Sequence, residues 1–206
     1  MKKILFTTRF GLRKSVLDGR KTNTRRDERG LRKAIEKFEK TYSRPFEFMT
    51  QYFDPEWDRL VVRTPVGAVR IKTRFSLDEI VAVAQSYSEL RFVVPVGADA
   101  AEYNRRFNEC VDSAGWKNMM YVKGELMPHQ IRITDVRVER LQDISDKDCL
   151  LEGITQLTFD TYSFPGWKYF CHDPREAFSV LIDKVSCKGV WDKNPYVVVY
   201  GFKLVK

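Results

Sequence analysis

Between Leu17 and Arg26 the chain reads Leu-Asp-Gly-Arg-Lys-Thr-Asn-Thr-Arg-Arg. Four cations and two hydroxyls are crowded into one short segment behind a glycine. Guanidinium and ammonium groups at this density suit an anion: they neutralise phosphates and release the counterions condensed on a nucleic acid. The surrounding sequence strengthens the point. Arg9 to Lys33 holds ten bases (Arg9, Arg13, Lys14, Arg20, Lys21, Arg25, Arg26, Arg29, Arg32, Lys33) against Asp18, Asp27 and Glu28, a net of +7. The whole chain, with 36 basic and 28 acidic residues, carries +8, so this stretch holds nearly all of the excess. A charge run is most often a solvated face. Here the bases bracket an apolar stripe and then crowd into a turn, which points to a binding role for Gly19, Arg20, Lys21, Thr22, Arg25 and Arg26.

The elements that must position this turn can be read from periodicity. Ile4 to Thr7 suggests a short strand. Arg9 to Asp18 suggests a helix burying Leu12, Val16 and Leu17 and stopped by Gly19, a natural left-handed cap. Leu31 to Tyr42 repeats apolar residues at helical spacing. Leu60–Val62 and Val69 to Phe75 predict a hairpin around Pro65-Val66-Gly67, and Glu79 to Tyr87 a strand. Asp99-x-x-Glu102 has the form of a capping box opening a helix to about Ser113. Gln130 to Leu141 is the clearest strand. Its apolar positions shift parity at Thr134-Asp135, as a bulge that bends a strand would require. Ser145 is placed to cap a helix ending at Glu152-Gly153. Asp173-Pro174-Arg175-Glu176 opens another, with Phe178, Leu181, Ile182 and Val185 toward the core, and Tyr196 to Val205 closes the chain as a strand. One domain over residues 1–206 is expected, with insertions at about 33–76 and 89–125.

Other classes recede. No apolar run approaches a membrane span, and the apolar start Ile4-Leu5-Phe6 is too short for a secretory signal, so a cytoplasmic protein without membrane contact is expected. Cys110, Cys149, Cys171 and Cys187 form no Cys-x-x-Cys pair and read as buried thiols. With two histidines, His129 and His172, neither a metal centre nor a cofactor is expected.

Taken together, several segments resemble the ASCH domain, a branch of the PUA-like superfamily, in its phage and prophage form. The segment Gly19-Arg20-Lys21-Thr22-Asn23-Thr24-Arg25-Arg26 is similar to the family's Gly-x-Lys-Thr-x-Thr-x-Arg signature. Glu79 to Gln85 is similar to the strand after it. Met127-Pro128 with Ile131 to Ile144 resembles the central strand, and Asp148 to Ile154 the helix that follows. Asp173 to Phe178, Gly189-Val190-Trp191-Asp192 and Asn194-Pro195 fit the C-terminal part. The resemblance implies an α+β fold, a PUA-like mixed β-barrel with flanking helices, and a cleft that takes RNA, a nucleotide or a modified nucleoside. Some small ASCH proteins are amidohydrolases that remove the acyl group of N4-acetylcytidine. Carried over by motif position, their catalytic Lys, Thr and Glu fall on Lys21, Thr24 and Glu152. Ribonuclease activity is attributed to other members, and a phage protein–protein adaptor is a further alternative.

The chemistry sets its own conditions. The Thr24 hydroxyl is a weak nucleophile until deprotonated, and Lys21 can take that proton only if its pKa falls well below about 10.4. Burial and the neighbouring Arg20, Arg25 and Arg26 push it that way, whereas a close carboxylate pushes it back. Glu152, before Gly153, is positioned to give a proton; ionised and paired with Lys21 it would instead be structural. For a base-binding cleft, Tyr87 is the expected stacking ring, beside Gln85 on the same strand, and His129 is placed to touch a phosphate. Both readings need the turn to face an open hollow.

Overall fold

The computed structural model describes residues 1–90 and 99–205; of residues 100, 102, 103 and 106 only the backbone is described. Part of the expected insertion 89–125 (residues 91–98) and the Glu102 half of the expected capping box therefore lie outside the described residues. In chain order the elements are β1 (Lys3–Ile4), α1 (Leu12–Leu17), β2 (Asn23–Arg26), α2 (Arg29–Tyr42), β3 (Thr50–Asp54), β4 (Arg59–Thr64), β5 (Gly67–Ile71) and β6 (Ile80–Val83). They continue with α3 (Ala100–Val111), β7 (Gln130–Arg140), α4 (Asp146–Leu151), β8 (Thr155–Thr158), β9 (Thr161–Ser163), α5 (Pro174–Val185), α6 (Val190–Lys193) and β10 (Tyr196–Leu204). The class is α+β, as expected. No sheet among the described residues closes into a barrel, and no helix among them is long and apolar enough to cross a membrane.

The chain divides into two compact units. The first comprises Met1–Phe6, Ile80–Arg132 and the chain end from Leu204. In it β1 runs parallel to β6, with Ile4 opposite Val83, and β6 pairs antiparallel with the start of β7. The strand expected over 79–87 stops at Val83. Beyond it the Glu89 carboxylate accepts hydrogen bonds from the Ser86 amide (3.0 Å) and hydroxyl (2.7 Å), which curls the chain into a turn. Ala82, Ala84, Tyr87, Val122 and Met127 form the core. Asp99 caps α3, accepting from the Ala101 amide at 3.2 Å.

The second unit comprises Thr7–Glu79 and Ile133–Lys203. Here α1 is one turn shorter than its pattern suggests, and Gly19 ends it at φ 72°. A side chain at Gly19 would meet nothing, so the left-handed backbone alone explains the glycine. The segment Gly19–Arg26 is not one turn: Asn23–Arg26 is β2, paired antiparallel with β10, Thr24 opposite Tyr200. Periodicity missed this strand because four polar residues carry no apolar alternation. α2 buries Leu31 and Phe38, the latter edge-on to Phe46. β4 and β5 form the expected hairpin, and β3 adds a third strand with no sequence signal of its own. The parity shift in β7 is present: Ile131, Ile133, Val136 and Val138 are buried and Thr134-Asp135 are not. Gly201 lies against that point, where a Cβ would come within 3.0 Å of the Asp135 Cβ.

Ser145 caps α4 through the Asp148 amide (3.1 Å), and Asp173 caps α5 through those of Arg175 and Glu176. Phe178 and Leu181 enter the core, but Val185, in the last turn, is exposed. Of the cysteines only Cys149 and Cys171 are buried; Cys187, beyond the end of α5, is exposed, and Cys110 is half-buried. Burial pushes the Cys149 thiol up to about 12.

Candidate functional site

Two local structures bring charged side chains of the second unit to one place. The end of α1 folds the next residues back on itself: the Arg20 and Lys21 amides both donate to the Ser15 carbonyl at 2.9 Å. The Thr22 amide then donates to the Leu151 carbonyl at 2.9 Å, which ties the start of β2 to the end of α4. Asp148 on α4 and Glu152, the residue that caps its C-terminus, are four residues apart and share a face. Gly153 follows at φ 109° and turns the chain away.

The Lys21 side chain runs along this junction and is almost wholly buried. Its Nζ donates to Glu152 Oε2 (2.5 Å), the Glu152 carbonyl (2.8 Å) and the Asn23 carbonyl (2.7 Å). An ammonium has three protons, and these acceptors account for them. The other Glu152 oxygen accepts from Arg25 Nη1 at 3.0 Å. Arg25 also donates through Nε to Glu139 Oε1 (2.7 Å) and through Nη2 to Asp148 Oδ2 (2.9 Å). Asp148 Oδ2 in turn accepts from Arg137 Nη2 at 2.8 Å, and Arg137 reaches Glu139 and the Asp135 carboxylate as well. Asn23 donates to Asp148 Oδ1 at 3.3 Å. Lys21, Arg25 and Arg137 are thereby laced to Asp135, Glu139, Asp148 and Glu152 in one network.

Burial and charge compete at each cation. For Lys21 burial wins: its pKa is lowered, Glu152 opposing and Arg26 and Arg25 reinforcing. Arg25 goes the other way. Burial pulls it down, but Glu152 and Glu139 outweigh burial and its pKa is raised. Arg26 is lowered by burial, against the pull of Glu152. Beyond it, Tyr200 on β10 donates to Glu28 Oε1 at 2.7 Å, and the Arg74 amide donates to Glu28 Oε2 at 3.0 Å. Burial raises the pKa of Glu28 despite these bonds, and that of Tyr200 with it.

The expected site residues are thus distributed unevenly. Lys21, Arg25 and Glu152 meet directly. Thr24 is buried in β2, where strand alternation sets it on the opposite face from Asn23 and Arg25. Arg20 is exposed and pairs with Asp18 at 3.1 Å. Thr22 contributes its backbone, accepting from the Phe202 amide at 2.7 Å, and Gly19 its conformation. The open hollow expected at the turn is filled at Lys21 by Glu152. A cavity of about 410 Å³ in this unit is lined instead by Gln51, Tyr52, Phe53, Leu77 and residues 134–137.

Gln85, Tyr87 and His129 belong to the first unit. Tyr87 packs against Gly115, and its hydroxyl accepts from the Lys123 amide at 2.8 Å. Gln85 is buried, its backbone N–H donating to Met127 Sδ at 3.3 Å and its side-chain Oε1 without a hydrogen-bond partner. His129 is half-buried, and its carbonyl accepts from the Val83 amide.

Asp148, Glu139, Arg137 and Asn23 were not singled out in the sequence. Two signals were there: the i,i+4 spacing of Asp148 and Glu152 on a capped helix, and Asp135, Arg137 and Glu139 at strand period. Among the described residues no group of three or more His, Cys, Asp or Glu side chains is placed to hold a metal ion. No protein-family model matches the chain, and no curated protein or solved structure matches it.

Proposed function

We propose that this chain is an ASCH-type, PUA-like protein that binds RNA or a nucleotide through the exposed bases of residues 9–33. The observation that carries this reading is a sorting of cations within that segment. Lys21 and Arg25 are buried and matched by carboxylates, whereas Arg9, Lys14, Arg20, Arg29, Arg32 and Lys33 are exposed. Asp18 and Asp27, the exposed acids of the segment, pair with Arg20 and Arg32 at 3.1 Å. Exposed pairs of this kind are worth only about 0–1 kcal/mol, so a phosphate can replace the carboxylate at little cost. The parity shift in β7 supports the PUA-like assignment, since a small barrel needs strands that change which residues face the core. The test is the affinity for single-stranded RNA across a salt series. Charge reversal at Arg20, Arg29 and Arg32 is expected to weaken binding and to flatten the log–log salt dependence by about 2, at roughly 0.7 per lost phosphate contact. Unchanged affinity and slope reject the reading.

A second reading is favoured by one contact, the 2.5 Å approach of Lys21 Nζ to Glu152 with the Lys21 pKa lowered. Moving one proton from Lys21 to Glu152 yields a neutral base and a neutral acid. With Thr24 set on the opposite face of β2 from Arg25, the nucleophile in an amidohydrolase acting on N4-acetylcytidine is water: Lys21 takes its proton as the oxygen bonds to the acyl carbon. Glu152 protonates the departing N4 amine as the C–N bond breaks, releasing acetic acid and restoring the ion pair. The assay is cytidine release by wild type and by Lys21→Ala. No turnover by wild type on acylated cytidines ends this reading and leaves the binding one intact.

A further inference from the structure

Three of the second unit's exposed aromatic rings belong to the β8–β9 hairpin and the segment that follows it. Phe159, at the tip of the β8–β9 hairpin, is 96% exposed; Tyr169 is 70% and Phe170 57% exposed. A ring left in water forfeits the stabilisation of burial, and neighbouring exposed rings mark surfaces that meet something else. His172 links the Phe159 tip to Phe170, which Tyr169 precedes in the chain. The Asp160 carbonyl, next to Phe159, accepts from the Nδ1–H of the His172 ring at 3.0 Å. That ring stands edge-on to Phe170, centroids 5.6 Å apart.

The tip is also braced. The Gln156 side chain donates to the Phe159 carbonyl at 3.1 Å, and the hydroxyls of Thr158 and Thr161 bond across the hairpin at 2.5 Å. Tyr162 and Cys171 exchange backbone hydrogen bonds of 2.8 and 2.9 Å, which ties the residue after Phe170 to the hairpin. The rings are therefore held out by an ordered scaffold, so a partner need not pay to order them.

Their second property is where they lead. Tyr169 touches Trp167 (5.9 Å), Trp167 stacks on Phe164 at 4.9 Å with the planes 3° apart, and Phe164 meets Phe10 edge-on at 5.5 Å. The Arg9 guanidinium lies over the Phe10 ring at 5.1 Å. Gly11 sits so close to Pro165 that a Cβ there would come within 2.9 Å. The aromatic loop is thus packed onto the first residues of the basic segment, and exposed Lys168 adds a cation among the rings.

We infer that Phe159, Tyr169 and Phe170 form a stacking platform for the bases of a single-stranded nucleic acid whose phosphates are met by Lys168 and Arg9 at the start of the basic segment. The inference rests on the nucleic-acid reading above and adds a strand preference to it. Bases in a duplex are already stacked on one another and offer no free face, whereas those of a single strand do. Any base has a face to stack, so the platform selects for strandedness and not for sequence.

The test uses the full chain with fluorescent oligouridine, oligothymidine and a duplex of equal length, each across a salt series. The variant Phe159→Ala/Tyr169→Ala/Phe170→Ala is expected to lose at least about tenfold in single-strand affinity, given the worth of one stacked base. Its salt slope and its duplex affinity stay those of wild type. Phe159→Trp/Phe170→Trp, which keeps the stacking faces, is expected to bind as wild type, and matching thermal melts exclude a folding defect. The two oligonucleotides distinguish RNA from DNA as the strand taken. Unchanged single-strand affinity in the triple variant overturns the platform, and an equal loss on duplex does the same. If the charge-reversal variant still weakens binding in either case, the basic segment survives as the binding surface. A wild type that binds neither form overturns both. A self-association of wild type that the triple variant abolishes, with nucleic-acid affinity untouched, makes the rings a protein contact and overturns the inference.

Discussion

Arg20 and Lys21 are adjacent, and each sits beside a carboxylate. Arg20 pairs with Asp18 at 3.1 Å with both side chains largely in water, 47% and 41% exposed. Lys21 pairs with Glu152 at 2.5 Å with 2% and 6% exposed. Attraction in the first pair is weak because water screens it, and both partners lose rotamer freedom to make it. In the second, desolvation costs several kcal/mol per ion, and the pair persists because the three Lys21 protons and both Glu152 carboxylate oxygens are matched. One residue step along the chain separates a charge free to meet a ligand from one locked into the protein. Net charge alone does not locate a binding surface; the cations that count are those the protein has not already neutralised.

Removing one side of the locked pair should have the largest effect. Glu152→Ala strands Lys21 and one arm of Arg25 in a buried site and is expected to cost about 3–5 kcal/mol by chemical denaturation. A cost like that of a surface substitution would mean that water reaches the network, and the contrast between the pairs would collapse.

Lys21→Met should cost less, because Glu152 keeps Arg25, and it should change the pH dependence. The folded pKa of Lys21 lies below 10.5, so between the two values the unfolded chain holds a proton that the fold does not. Stability then rises with pH through that window and is lost as pH falls through the folded value. The stability difference between wild type and Lys21→Met is expected to grow in favour of wild type up to about pH 10.5 and then level off. A difference that shrinks with rising pH would show that Glu152, not burial, governs Lys21.

Ser145→Ala tests the scaffold. It removes the cap of the helix that presents Asp148 and Glu152, and a loss of about 1 kcal/mol is expected from thermal melts. Asp18→Ala, which breaks the exposed pair, is expected to change stability by less than about 0.5 kcal/mol while slightly strengthening RNA binding. A loss of stability comparable to that of Ser145→Ala would make the Arg20–Asp18 pair structural after all.

The helices were legible where local chemistry settles them. Asp173-Pro174 and Ser145 cap at their own positions, Gly19 and Gly153 stop the chain with positive φ, and the apolar stripe of α2 buries Leu31 and Phe38. The parity shift of β7 was legible too, since it is a property of the strand itself. β2 and β3 were not: a polar strand is defined by its partner, and partners are set by contacts between distant residues. The site divides along the same line. The α+β class, the crowding of cations at Arg20–Arg26 and the spacing of Asp148 and Glu152 follow from sequence alone, because composition and helical period are local. Which of those cations are buried and spoken for, and which remain in water, was decided by the tertiary structure. It brings carboxylates from β7 and α4 across more than a hundred residues to Lys21 and Arg25, and no local rule encodes that encounter.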